Sequence, residues 1–298
     1  MKHRRIPGIL DVFKVSQPDE IRAVSLDARA DRQFNSRCPV VNGIVLGKLL
    51  AALSYAGRRF PTLSPRGDAQ RASDQDALWK RLNATAAVAR LGSEDLENLG
   101  QWIKRPGTES ALGVLVQQTI GRLFVSSYEA DVESWEAALT LDGARKKKGV
   151  FKTIAWTLTK RVPRAKALLA QKVNGDLAGI HGTGIAIHNI VKGFLLMQGL
   201  YVDISQRQQL TPEQVAEQCL FAPPALLRQA TSDGEIAGCP FKKGALFLLE
   251  LSEANKQENT RDLVFLDQSW SRCPADQWVP ALFEGVWRRA VAPPHLGQ

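Results

Sequence analysis

Cysteine is scarce in this chain. Cys38, Cys219, Cys239 and Cys273 are scattered through 298 residues without a regular spacing. That pattern does not suggest a disulfide framework or a zinc cluster, and a reducing cytoplasm is the expected setting. Long apolar runs are lacking too. The longest, GIAIHNIVKGFLLMQGL over 184–200, is interrupted by His188, Asn189 and Lys192, so no stretch is expected to span a bilayer. The first 13 residues start basic, but Pro7, Gly8 and Asp11 break any apolar core, and no secretory leader is expected. No internal repeat or low-complexity tract is present. Acidic residues are missing altogether from 145 to 172.

What is there belongs to a globular protein: 44% hydrophobic and 23% charged residues. The length suits one large domain or two ordinary ones, and a single domain over 1–298 is expected. Net charge is +9 and unevenly placed. Arg145, Lys146, Lys147, Lys148, Lys152, Lys160, Arg161, Arg164, Lys166 and Lys172 fall in the acid-free stretch, and the rest of the chain is nearly neutral. Such a run attracts nucleic acid, an anionic membrane or an acidic protein, although a solvated face is the commoner reason for one. Nucleic acid is not expected here; peripheral membrane contact through 145–172 stays open, beside a cytoplasmic location.

Periodicity points to a mainly α chain with a small β element near the C-terminal third. DVFKV (11–15) alternates as a short strand. SQPDEIRAVSLDARADRQF then reads as a helix with Ser16 as N-cap, Pro18 near its first position and two acids in its first turn. Helices are expected over 43–56, after Ser93, after Thr108, and from Asp131 through Trp135. The polar segment RRFPTLSPRGDAQRASDQD reads as a flexible loop. The longest helical pattern covers 164–201, with glycines at 175, 179, 182 and 184. TPEQVAEQCLF is a short capped helix stopped by Pro223-Pro224. Short strands are expected around EIAG and ALFLLEL, before a final amphipathic helix carrying Trp278, Leu282, Phe283 and Trp287.

The order of elements in PPALLRQATSDGEIAGCPFKKGALFLLELSEAN resembles the segment after the K helix of the cytochrome P-450 family. A proline pair (Pro223-Pro224) precedes Arg228, a turn over 233–238, a second turn over 241–244, a strand, and Ala254-Asn255. VFKVSQPDEIRAVSLDARADRQF is similar to the family's first strand and B helix, and GRLFVSSYEADVESWEAAL to its D–E region. AGIHGT (178–183) resembles the family's A-G-x-[DE]-T-T in the I helix.

The resemblance implies a cytochrome P-450-like helical fold and haem b as cofactor. Cys273 would be the thiolate ligand of the iron, held by a helix N-terminus just after it. Arg228 and Arg272 would be the cationic partners of the haem propionates. Thr183 would be the hydroxyl that helps deliver protons. The implied activity is that of a haem-thiolate oxidoreductase, a monooxygenase or a peroxide user, acting on a small hydrophobic organic substrate. A ferredoxin- or flavin-type electron donor is the implied partner.

Departures from the pattern point to a short and divergent member. The K-helix Glu-x-x-Arg falls on Glu217 and Leu220, so its arginine is missing. Of F-x-x-G-x-R-x-C-x-G only Cys273 stands, with Arg272 one place away from the usual arginine. The stretch from Asn255 to Cys273 is short. The acid before Thr183 is replaced by Ile180-His181-Gly182. His181 can relay a proton because its pKa lies near neutrality. His188, seven residues on, falls near the same face of a regular helix, where core hydrogen bonding is its ordinary role. The alternative is therefore a degenerate binding or assisting protein without oxygen-activating chemistry.

Overall fold

The computed structural model describes residues 1–34, 38–83, 93–145 and 160–292. Strands β1 (Lys2–Ile6) and β2 (Leu10–Val15) form a hairpin whose turn places Gly8 at φ +69°. Helix α1 (Pro18–Leu26) opens on proline with Asp19 and Glu20 in its first turn, but its cap falls on Gln17 rather than Ser16. It stops at Leu26 instead of running on to Phe34. Asp27 accepts bonds from the backbone N–H and guanidinium of Arg29, fixing a turn before β3 (Ala30–Asp31).

Helix α2 (Val40–Ala52) leads into a hairpin of β4 (Ser54–Tyr55) and β5 (Arg58–Arg59). The segment expected to be a polar loop instead holds β5, a 3₁₀ turn over Pro61–Leu63 and the start of α3 (Arg71–Asn83). Three helices then follow, close to the expected bounds: α4 (Ser93–Lys104), α5 (Glu109–Gly121) and α6 (Val132–Arg145). Thr108 caps α5, its hydroxyl accepting from the Ala111 N–H at 3.2 Å.

The pattern expected to be one helix from 164 to 201 is two. Helix α7 (Arg161–Lys172) ends where Asn174 and Gly175 turn left-handed. Helix α8 (Leu177–Val202) restarts on Asp176, whose carboxylate accepts from Ala178 N–H at 2.9 Å. Its segment Gly182–Ala186 has π-helical pairing. At 26 residues α8 is long and apolar enough to cross a membrane, contrary to the sequence expectation. Ile180, Ile187, Phe194 and Met197 are nonetheless buried in the protein core.

Next come α9 (Ile204–Gln209) and α10 (Pro212–Gln218), the latter with a Thr211–Gln214 capping box. The chain closes with β6 (Leu226–Ala230), β7 (Gly234–Ile236), β8 (Cys239–Phe241), β9 (Leu246–Leu249), α11 (Leu251–Gln257), α12 (Arg261–Phe265) and α13 (Trp278–Val291).

The chain divides into two compact units, Met1–Leu78 with Phe221–Asp276, and Trp79–Leu220 with Gln277–Gln298. The first contains a five-stranded sheet in the order β1-β2-β9-β6-β3. Only β2 and β9 run parallel, with Val12 opposite Leu246 and Val15 opposite Leu249. The β element thus draws on both ends of the chain: β2 falls on the strand expected at 11–15, β7 and β9 on the two expected near the C-terminal third, and the sheet's β1, β3 and β6 are additional. β1 escaped the sequence reading because KHRRI has no apolar alternation, and all five residues are exposed.

The second unit is helical among its described residues. Gly113 of α5 lies so close to Trp135 of α6 that a Cβ there would sit 2.2 Å from the indole. The rings of Phe194 and Phe283 meet edge to face at 5.0 Å between α8 and α13. The basic stretch 145–172 falls partly outside the described residues, including Lys146, Lys147, Lys148 and Lys152. Of the remainder, Lys166 is buried and Lys172 pairs with Asp131 at 2.8 Å. Burial alone pulls Lys166 down to about 8. The described part is therefore not a uniform basic face.

Candidate functional site

In the first unit, Cys273 follows α12 and an irregular segment. Its N–H donates to the Phe265 carbonyl at 2.7 Å, across a left-handed Leu266 at φ +50°. The expected helix start just after it is corrected. Residues 274–277 form a turn and α13 begins at Trp278. Pro274 suits the first position of such a turn, and the Ala275 N–H, rather than a helix terminus, faces the sulfur. Burial pushes the thiol up to about 11; the Ala275 N–H, Arg32 and Arg272 oppose this and Asp276 adds to it. At neutral pH the free side chain is a thiol.

Around Trp270, three residues upstream, three guanidiniums converge. Arg32, Arg71 and Arg228 lie 5.4, 4.5 and 5.3 Å from the indole centroid. All three are buried. Arg228 sits at the centre of β6, opposite Phe247 of β9, and is fully enclosed. It donates to the Leu227 carbonyl at 3.1 Å and to the Ser271 hydroxyl, while its Nε has no partner. Arg71 donates to the Ser64 carbonyl, to Gln75 Oε1 at 3.0 Å and to the Trp270 carbonyl at 3.3 Å.

Burial is the first cause that lowers the pKa of each guanidinium, and their mutual repulsion adds to it for Arg32 and Arg228. Arg228 comes down to about 9. Asp31 is the carboxylate common to all three, and its Oδ1 already accepts from the Arg32 and Arg66 backbone N–H groups at 2.6 and 2.8 Å. Asp68 also acts on Arg71, and a further anion would lower the cost of burying three guanidiniums together. The donor set suits a ligand that brings carboxylates to the arginines and a metal to the thiol. Haem has both, so the residues present fit it.

Arg272, the second expected propionate partner, adjoins Cys273 in the chain and acts on its thiol. Its side chain is half-exposed and 3.6 Å from Asp276, while its carbonyl accepts from Gln75 Nε2 at 2.8 Å. Arg32 and Arg71 were missed by the sequence reading. Arg32 lies in the stretch taken for helix, and Arg71 in the one taken for loop.

In the second unit, His181 and Thr183 lie on α8, His181 at the edge of the π-helical segment and Thr183 within it. Thr183 is fully buried, and its hydroxyl donates to the Gly179 carbonyl at 2.7 Å, the ordinary bond of a helix-interior threonine. Its own carbonyl accepts from Gln117 Nε2 at 3.0 Å. The same amide donates to the Ser134 carbonyl at 3.0 Å, and Gln117 Oε1 accepts from the Ser134 hydroxyl at 2.7 Å. Gln117 thereby ties α5 and α6 to the segment where regular pairing is broken. A side chain at Gly182 would meet Phe124 at 3.1 Å and Ile120 at 3.4 Å. His181 is half-buried. His188 is buried with Nε2 3.0 Å from the Ala138 carbonyl and its ring against Trp135, which is the core role. Leu220, where the family pattern has arginine, is buried too.

Among the described residues no group of three or more His, Cys, Asp or Glu is placed to hold a metal ion. Neither a family model nor a curated protein matches the sequence. Solved structures do. Cytochrome P450EX alpha with myristic acid aligns over 96% of this chain and 82% of its own, at TM-score 0.65 and 14% identity. P450 RauA, complexed with a biosynthetic intermediate of aurachin RE, aligns over 97% and 85%, at 0.62 and 14%. A six-coordinated cytochrome P450 from Thermus thermophilus aligns over 95% and 84%, at 0.58 and 12%. At such identities the likeness is one of fold, and the chain has the mainly α cytochrome P450 fold.

Proposed function

We propose that residues 1–298 act as a single haem-binding domain, and that the protein is a haem-thiolate oxidoreductase for a small hydrophobic organic substrate. The observation that carries this is the set of three buried guanidiniums around Trp270, next in the chain to Cys273. A bound haem b would supply the oxidising chemistry, with its potential and reactivity set by a thiolate ligand.

The chain's own residues have defined tasks in this reading. Cys273 would hold the metal as a thiolate, and the Ala275 N–H would steady that charge. Arg228, Arg71 and Arg32 neutralise the propionates. Arg272 acts from outside this cluster, holding Asp276 and the turn after the cysteine. Phe124 and Ile120 beside Gly182 give this stretch of α8 apolar surroundings, which favour a hydrophobic substrate over a charged one. Thr183 and His181 hold and pass protons; for this the Thr183 hydroxyl must leave the Gly179 carbonyl. Reducing equivalents come from a ferredoxin- or flavin-type donor, or a peroxide replaces both donor and oxygen. The expected location is cytoplasmic.

The Thr183–Gly179 bond favours a second reading, a haem-holding protein without oxygen-activating chemistry. Titration of the purified protein with haem distinguishes both from a protein that binds none. The reading expects a one-to-one Soret change that Cys273→Ser shifts. A protein that stays colourless contradicts it.

A further inference from the structure

Helix α2 is apolar on both sides. Its inner face is fixed to the sheet: Asn42 Nδ2 donates to the Asp11 carbonyl at 2.8 Å, and the Asp11 N–H donates to Asn42 Oδ1 at 3.2 Å. Leu46 packs with Phe34 and Leu246. Opposite, Val40, Val41, Ile44 and Val45 are exposed, Val40 at 65% and Ile44 at 54%. Their spacing, with Lys48 one turn on, makes one helical stripe. The stripe continues into the β1–β2 turn, because the Val40 and Val41 N–H groups donate to the Gly8 and Ile9 carbonyls at 3.2 and 2.8 Å. Ile6 and Ile9 of that turn are exposed as well. Six exposed branched aliphatic side chains gathered on one face, rather than scattered singly, are what a shallow contact site uses.

The unpaired exposed charge beside it is basic, since Asp11 is buried against His3 and Arg5, and Glu20 pairs with the N-terminal ammonium. Residues 1–10 and 38–60 contain Lys2, Arg4, Arg5, Lys48, Arg58 and Arg59 and no Asp or Glu. Lys2 and Arg4 stand exposed on the edge strand, Arg4 opposite Val12, the residue that packs against the α2 cluster. A second copy of the chain is a poor occupant. Thirteen residues of helix offer a face about 20 Å long and about 10 Å wide, against about 800 Å² per partner in a stable dimer. Two such surfaces would also bring like charges together.

We propose that the outer face of α2 and the β1–β2 turn dock on an anionic phospholipid surface. Ile6, Ile9, Val40, Val41, Ile44 and Val45 enter the interfacial layer, and Lys2, Arg4 and Lys48 reach the headgroups. This is a different surface from the 145–172 stretch and does not depend on the haem reading.

The test is co-sedimentation of the full chain with vesicles of pure phosphatidylcholine, or of phosphatidylcholine with 30% phosphatidylglycerol (about one anionic lipid in three, enough for a negative surface potential). Binding is expected to the anionic vesicles only, and to weaken with salt. Ile44→Glu with Val45→Glu should reduce it about tenfold or more, and Lys2→Glu with Arg4→Glu by a similar factor. All four positions are exposed, so circular dichroism and thermal unfolding should stay unchanged. Lack of binding, equal binding to both vesicle types, or binding that survives both double variants would overturn the proposal. So would a concentration-dependent dimer that Ile44→Glu disperses, since that would mean a second copy covers the face.

Discussion

Arg228 donates to the Ser271 hydroxyl, two residues before Cys273, from a position with no exposure to water. Its Nε is left without a partner, and Arg71 and Arg32 share its surroundings. A cation so placed is a burden to the empty protein and an asset once an anion arrives. Arg228→Met is therefore expected to leave the thermal stability of the haem-free protein unchanged or raised, and to weaken haem binding about 10- to 100-fold, the loss of one charge-assisted contact. A calorimetric melt and a haem titration on the same preparation check both halves.

Haem affinity should rise with pH. The free Cys273 thiol is pushed up to about 11 and must lose its proton to ligate a metal. Below that pH, binding releases one proton, so the apparent association constant gains about tenfold per pH unit from 7 upward, until Arg228, brought down to about 9, begins to lose its charge and flattens the rise. The haem-free protein behaves oppositely: its unfolded chain ionises this thiol first, so stability falls as pH climbs from about 9 towards 11. Haem titrations at several pH values measure the first slope, and Cys273→Ser removes it.

The Gln117 clamp is expected to set the geometry of α8 around Thr183. Gln117→Leu takes the side-chain donor from the buried Thr183 carbonyl, while the Ser134 hydroxyl keeps the Asp131 carbonyl at 2.9 Å. The expected loss is about 1–3 kcal/mol, read by urea unfolding. A neutral result would mean that the Thr183 carbonyl finds another partner.

Close packing in the helical unit gives a simpler test. A Cβ on Gly113 would lie 2.2 Å from Trp135, a buried ring that cannot retreat. Gly113→Ala should cost about 1–3 kcal/mol through overpacking. Gly199→Ala, with open space at that position, should not destabilise and serves as the control.

The legible parts of the sequence were those where one local signal dominates. Thr108, Thr211 and Pro18 mark helix starts, and the α4 to α6 bounds followed from caps and periodicity. Arg228 was found because its place after Pro223-Pro224 belongs to an ordered series of elements. Arg71 was hidden because a polar, proline-containing segment reads as loop, and what buries its side chain is Trp270, almost 200 residues away. Arg32 was hidden by a helical pattern that Asp27 and Arg29 end with a side-chain turn. The π-helical segment of α8 has no local signature beyond Gly182 and Gly184. The aromatic run from Trp278 was read as starting at Cys273, although Pro274 and the turn after it delay the helix by four residues.

The central claim is that Cys273 ligates haem iron. Its most direct measurement is the absorption spectrum of the haem-loaded protein, reduced and exposed to carbon monoxide. The account predicts a Soret band at the long-wavelength position of thiolate-ligated haem, lost in Cys273→Ser and kept in Cys219→Ser and Cys239→Ser. A band at the shorter wavelength of nitrogen-ligated haem, or a long-wavelength band that persists in Cys273→Ser, would contradict it.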